Sequence, residues 1–412
     1  MSVQLALLLG AALFRPTFCS ISATGQLTGN MQKKISYQDH LNLAQRNGNF
    51  AVSLYRLLAA ENPESNVIFS PVSISIALAV LALGTDSHIT TEILQGLKFN
   101  LTETSEDDIH QGFQKLLGHM KLLGAPLQMY TAVFLDQQLY LLESFREKAW
   151  ETYTGHTISI DFQDPDAAKM LINSYVDDNT QGKISKMVKQ LDAETMLVLV
   201  NSVIFKAKWK MPFDPDLNFL STFFLNQSKW TNVMTMRVEN QKILFFWDGR
   251  YSLNIVKLPY SDGHISMLLI LPDMGAMHNL ETALSMDLIS FWRNSMRPRK
   301  MTLYLPKFSI TRSYNLEQFL PNLGITKVFS QEADFSRLSP ARNLSISQVV
   351  HTAAVDLAEK GTEEAPFLGR TNPLTPRPLV IMNFNRPFMV VIFSEDTHNI
   401  LFLGKVVNPE QE

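Results

Sequence analysis

Cysteine is nearly absent: the 412 residues include one, Cys19. A lone thiol can neither close an internal disulfide nor complete a multi-cysteine zinc site, so both scaffolds are excluded. Strong charge imbalance is absent too. Thirty-six Lys and Arg face 39 Asp and Glu, for a formal net charge of -3. No global basic field favours nucleic acid or an anionic membrane, and no line of Lys and Arg along one face offers a heparin site. The densest basic cluster is Arg297-Pro298-Arg299-Lys300. There is no Gly-rich phosphate loop, no Gly-x-Ser-x-Gly elbow and no His-Glu-x-x-His pair, and the nine histidines lack ligand spacing. No enzyme, cofactor or metal is expected. The neighbouring Asp396 and His398 read as a polar turn between strands rather than a catalytic dyad.

Long apolar runs are scarce. Residues 5–14 form one, but it is about half the length needed to cross a bilayer. A secretory signal at 1–19, cut after Cys19, fits better, with Thr17 and Cys19 as the small residues before the cut. The mature chain then begins at Ser20 without cysteine, in an extracellular setting. Three Asn-x-Ser/Thr triplets, at Asn100, Asn226 and Asn343, make glycosylation expected on such a chain.

What is present is ordinary globular material: 46% hydrophobic and 18% charged residues, with 19 Pro and 18 Gly scattered along the chain. Helical periodicity runs over 41–58, with Phe50, Leu54, Leu57 and Leu58 on one face. Ser70-Pro71 reads as an N-cap followed by proline in the first turn. The helix it opens is apolar on most faces and therefore central. Helical signals recur at 104–123 and 167–179, and strand signals at 131–135 and 196–205. Beyond Phe223 short β-branched and aromatic segments dominate: 243–247, 253–258, 265–271, 301–305 and 388–393. Pattern alone gives a mixed α and β protein in one or two compact units.

At Asn66-Val67-Ile68-Phe69-Ser70-Pro71-Val72-Ser73-Ile74-Ser75 the sequence resembles the serpins, on their α1-antitrypsin-like extracellular branch. Further matching fragments stand in order: Ile109-His110-Gln111-Gly112-Phe113, Leu199-Val200-Asn201, Phe205-Lys206-Ala207-Lys208-Trp209, Leu305-Pro306-Lys307-Phe308, Phe384-Asn385-Arg386-Pro387-Phe388 and Phe402-Leu403-Gly404-Lys405. The resemblance implies an α+β fold with three β-sheets, about nine helices and an exposed reactive-centre loop. It implies an N-terminal extension and the start of the first helix at 20–45, then one serpin domain at 46–412 with the reactive loop at 359–383. It also implies a polar "shutter" of Ser70, Ser73, Asn201 and His351 beneath the largest sheet, with Trp209 at the breach where that sheet opens. Ser202 and Thr352 depart from the family's usual Tyr and Lys.

In the family a protease cuts the loop, which then inserts as a new central strand. The hinge here begins as expected, with Glu359, Gly361 and Thr362, but continues through Glu363, Glu364, Ala365 and Pro366 instead of small residues. Side chains alternate faces along a strand. The alternation that turns Thr362 inward also turns Glu364 and Pro366 inward, burying a carboxyl and placing a proline in a central strand. The scissile bond falls near Thr375, Pro376 and Arg377. The expectation is a secreted, monomeric serpin with little inhibitory activity, acting as a binding or carrier protein; the alternative is a serine protease inhibitor. Its partner is thus a small hydrophobic ligand or a serine protease. Hormone carriers of this branch have Trp or Arg at the position matching His398, so histidine transfers neither ligand.

Overall fold

A computed structural model describes residues 24–124, 126–360 and 380–411. The proposed signal with Cys19 lies outside the described residues, as do Gly361, Thr362, Glu364, Pro366, Thr375, Pro376 and Arg377. Two units are delimited, 1–39 and 40–412, and every strand belongs to the second.

Eight α-helices are present among the described residues: α1 (Thr24–Glu61), α2 (Pro71–Leu83), α3 (Ser87–Gly96), α4 (Glu106–Leu122), α5 (Glu143–Tyr153), α6 (Pro165–Asn179), α7 (Met277–Ala283) and α8 (Met286–Ser295). Fourteen strands accompany them: β1 (Val67–Phe69), β2 (Leu127–Asp136), β3 (His156–Ile160), β4 (Leu197–Phe205), β5 (Phe219–Phe224), β6 (Trp230–Asp248), β7 (Leu253–Pro259), β8 (Ile265–Pro272), β9 (Arg297–Pro306), β10 (Phe308–Asn315), β11 (Gln348–Leu357), β12 (Val380–Asn383), β13 (Phe388–Ser394) and β14 (Ile400–Val406).

One sheet has the order β10-β11-β4-β2-β3. At its centre β4 and β11 run parallel, paired without interruption from Val198↔Gln348 to Phe205↔Val355. The other path, β1-β14-β13-β8-β7-β6-β9-β12 with β5 on β6, divides at a register shift between Val238 and Gln241. Before the shift β6 pairs with β5 and with residues 303–306 of β9; after it, with β7 and residues 297–301 of β9. The three expected sheets are therefore there, two of them continuous through β6 and β9.

Burial explains the strand compositions. Every residue of β4, β8, β13 and β14 is buried, so these strands read as mainly apolar runs instead of alternating, interrupted at Asn201-Ser202 in β4 and Gly404-Lys405 in β14. In the five-stranded sheet Val203, Phe205, Ala353 and Val355 join the main core. Val200, Ile204, Val350 and Ala354, on the opposite face, pack with Ala168, Ile172 and Val176 of α6. Helix α2 is buried from Pro71 to Ala82 and packs against both β4 and β14, which places it between the sheets. Its cap forms as the sequence predicts: Ser70 Oγ accepts from the Ser73 N–H, and Pro71 fills the first turn. Gly404 of β14 allows the closest backbone approach: a Cβ there would lie 2.0 Å from the Val67 oxygen of β1.

Candidate functional site

Four polar side chains from three elements meet beneath the β4–β11 seam. Asn201 and His351 are register partners on the two strands, and Ser70 and Ser73 stand at the start of α2. All four are at most 1% exposed. Asn201 Oδ1 accepts from Ser73 Oγ at 2.9 Å and from His351 Nδ1 at 2.7 Å. Its Nδ2 donates to Thr131 Oγ1 at 3.0 Å, on β2. His351 Nε2 accepts from the Ser70 N–H at 3.1 Å. Those partners assign the tautomer: an acceptor at Nε2 requires the proton on Nδ1. Burial drives the imidazole pKa down from 6.5 to about 3, the Asn201 bond offsetting only part of that cost. His351 is thus neutral at physiological pH. Nothing in the cluster is poised as a base or nucleophile; each polar atom in this chain of bonds is instead spent tying two sheet strands to a helix. Thr131, the outer member, has no motif of its own in the sequence.

One residue along each strand, the chemistry changes. Ser202 and Thr352 face the α6 side. Thr352 Oγ1 bonds Ser313 Oγ at 2.7 Å, whereas Ser202 Oγ is buried without a hydrogen-bond partner.

A second cluster closes the sheet where β11 ends. Trp209 is stacked on Tyr260, ring centroids 4.3 Å apart and 11° from parallel. It grips the chain beyond β11 twice: its Nε1 donates to the Ala358 oxygen and its backbone N–H to the Lys360 oxygen, both at 2.9 Å. The Phe213 N–H donates to the Glu359 oxygen at 2.7 Å. The Glu359 carboxylate accepts from Lys307 Nζ at 2.8 Å and from Asn218 Nδ2. Burial pushes its pKa up, but those bonds outweigh it and hold the carboxyl below its ordinary range. Lys307 and Trp209 both belong to matching sequence fragments; no sequence signal marks the ion pair or the Asn218 contact.

His398 lies elsewhere, in the β13–β14 turn with a positive φ of 59°. Its Nδ1 accepts from the Arg293 guanidinium at 2.8 Å, and burial together with that cation pushes its pKa down. Arg293 also sits 3.9 Å over the Phe393 ring. The adjoining cavity, about 240 Å³, is lined by Gln45, Met286, Ser290, Asn294 and His398 among others. It is smaller and more polar than sites that hold drug-sized apolar ligands, which run from about 300 to 1,000 Å³. A larger cleft of about 660 Å³ lies between the β5–β6 hairpin and the C-terminal segment, walled by Leu225, Met274, Met277, Pro387 and Val407 and bordered by Arg386. Asp396, near His398, bonds His264 Nδ1 at 2.7 Å. The turn is thus polar scaffolding. Asn100, Asn226 and Asn343 all sit in turns or loops, the last with a positive φ of 58°. Among the described residues no group of three His, Cys, Asp or Glu can hold a metal, and no helix is long and apolar enough to cross a membrane.

The model of the family "Serpin (serine protease inhibitor)" matches residues 45–409. The chain is 46% identical over 391 residues to Alpha-1-antichymotrypsin of Homo sapiens, covering 93% of this chain and 92% of that one. It is 44% identical over 379 residues to Serine proteinase inhibitor 2.4 of Apodemus sylvaticus, covering 90% of each. Among solved structures, human thyroxine-binding globulin in complex with thyroxine superposes with a TM-score of 0.85 at 35% identity, over 90% of this chain and all of that one. Human glycosylated kallistatin does so at 0.85 and 38%, over 91% and 99%. The chain belongs to the serpin family.

Proposed function

We propose that this serpin is a secreted glycoprotein that traps proteases poorly and acts instead as a binding protein. The supporting observation is the lining of the seam that an inserting loop must enter. Its upper end is flanked on the core side by Val203, Phe205, Val355 and Leu357, each at most 1% exposed. None of those side chains can hydrogen-bond a carboxyl. By the alternation that begins at Thr362, Glu364 enters this apolar row, at a cost of roughly several kcal/mol whether charged or protonated. Pro366 then removes a ladder bond in mid-sheet. A loop slowed at this step lets the protease complete hydrolysis and leave. In this reading Ser70, Ser73, Asn201 and His351 hold the seam shut, and Trp209 with Glu359 and Lys307 latches its upper end. For a small apolar ligand the 660 Å³ cleft offers more room than the site beside His398.

The competing reading, a serine protease inhibitor cut near Thr375 to Arg377, draws support from relatives that bear inhibitor names and from the intact hydrogen-bonded cluster. The two separate in one experiment. The purified protein is incubated with chymotrypsin-like and trypsin-like serine proteases and run under denaturing conditions. Cleavage without a protease-sized adduct is expected, and the Glu364→Ala/Pro366→Ala double variant should gain such an adduct. A stable adduct at near-equal stoichiometry with the unaltered protein overturns the proposal.

A further inference from the structure

The hairpin joining β5 to β6 carries the sequon Asn226-Gln227-Ser228 at its tip. The turn is closed by the Leu225 and Asn226 N–H groups, which donate to the Lys229 oxygen at 2.9 and 3.2 Å. Within it, Asn226 Oδ1 accepts three bonds: from the Ser228 N–H at 2.9 Å, Ser228 Oγ at 3.1 Å and the Lys229 N–H at 2.9 Å. The amide is planar, so fixing its oxygen toward the turn directs Nδ2 away from it. Nδ2 is the atom that takes a sugar in an Asn-x-Ser site. Glycosylation forms the Nδ2–C1 bond as the C1–O bond of a glycosyl diphospholipid donor breaks and Nδ2 releases one proton. The remaining geometry needs no change, since the three bonds to Oδ1 persist.

The last rung of the ladder beneath this turn is Phe224↔Trp230. These two aromatic residues are 36% and 61% exposed. The next pair on the same face, Thr222↔Asn232, is polar and exposed, and beyond it Leu220↔Met234 is open to solvent at 63% and 42%. Directly opposed cross-strand neighbours lie within side-chain reach of one another, so Phe224 and Trp230 form an exposed aromatic pair at the end of the hairpin. The other two sequons lack such a pair beside them. Asn100 follows Phe99, which is only 8% exposed, and Asn343 precedes Leu344, which is 1% exposed.

We infer that the first N-acetylglucosamine of an Asn226 glycan packs on Phe224 and Trp230, so that the sugar completes the outer face of the β5–β6 hairpin. A pyranose ring presents C–H groups on one face. The electron-rich face of an aromatic ring attracts such partially positive hydrogens while both surfaces leave water. The attachment point stands two residues after Phe224 and four before Trp230, which sets the sugar over that rung.

The inference rests on the secreted reading, and the test separates the two. Full-length protein with Asn100→Gln and Asn343→Gln is secreted from mammalian cells restricted to oligomannose glycans. One portion is untreated, one is trimmed to a single N-acetylglucosamine by endoglycosidase H, and one is stripped by peptide N-glycosidase F. The first two should melt together and the stripped form about 1–3 °C lower. With Phe224→Ala and Trp230→Ala, which are exposed and tolerable, the three should coincide. Because stripping leaves Asp at 226, Asn226→Gln should match the stripped form. A stripped form that melts with the trimmed one overturns the inference. So does a difference that survives loss of both aromatics, which would place the sugar in the 660 Å³ cleft that Asn226 also lines. Failure of the unaltered chain to be secreted with sugar on any of the three sequons overturns the secreted reading itself.

Discussion

Protonation of His351 should unlatch the sheet, and the structure sets the size and direction of the effect. The imidazole accepts the Ser70 N–H at Nε2. Adding a proton there turns the acceptor into a donor facing a donor, in a site with no exposure. The folded pKa is depressed from 6.5 to about 3, so below pH 6.5 the unfolded chain binds a proton that the folded chain refuses. Stability from this group is therefore full above about pH 6.5 and falls as the pH drops toward 3. At about 1.36 kcal/mol per pH unit the loss is about 2 kcal/mol by pH 5 and roughly 5 kcal/mol by pH 3. His110 is a second buried histidine with a lowered pKa, also through burial, so acid sensitivity alone does not identify His351. A comparison with His351→Gln does, because glutamine keeps a donor and an acceptor without titrating. Urea midpoints measured from pH 7.5 to 5 should show the unaltered protein losing about 2 kcal/mol more than the variant. Curves that stay parallel across this range would refute the assigned tautomer and the role of burial.

Ser202→Ala should be neutral or stabilising by up to about 1 kcal/mol, since its buried hydroxyl has no partner to lose; a destabilisation in urea melts would show that the hydroxyl is satisfied after all. Lys307→Met should cost about 1–2 kcal/mol at pH 7 by leaving the Glu359 carboxylate with Asn218 as its remaining side-chain partner. Because the Glu359 pKa is held low, that contribution exists above its ordinary 4.5 and disappears as pH falls below it, so urea midpoints of the two proteins should converge in acid. Gly404→Ala forces a Cβ to within 2.0 Å of the Val67 oxygen and 2.9 Å of the Ile68 Cα. Backbone cannot yield as a side chain can, so the cost should be about 3 kcal/mol or more, read as loss of soluble protein on expression.

Segments whose reason for existing is local are legible in the sequence. Helix α2 announces itself through Ser70-Pro71 and an apolar run, because it is buried on all sides. Strand β13 does so through an unbroken Val-Val-Ile-Phe core. Strand β6 is visible in the pattern only over 243–247, although it extends from Trp230. Its earlier half mixes exposed, half-buried and buried positions and carries Asn232, Arg237, Glu239 and Asn240, and the register shift after Val238 breaks the alternation. The cluster at 297–300 looks like a basic patch and is the exposed start of β9, where Pro298 is tolerated because it lies near the strand's beginning. The polar cluster comes from resemblance to the serpins. Its bonds cannot be read from spacing, since Asn201 binds groups 70, 128 and 150 residues away. Only packing brings such residues together. The same holds for Lys307 and Asn218, which converge on Glu359 from 52 and 141 residues away.

The parallel pairing of β4 with β11 has a consequence for how long the molecule lasts. A strand entering between them in the opposite direction would replace one slanted parallel ladder by two perpendicular antiparallel ones, a gain in hydrogen bonding and in order. What prevents that exchange is the need to part all eight rows from Val198 to Phe205 at once, together with Asn201, His351 and the latch on Glu359. In the reading that lets a strand enter here, the lifetime of the native pairing is set by the height of that barrier. Buried polar side chains act in that reading as the regulator of a clock.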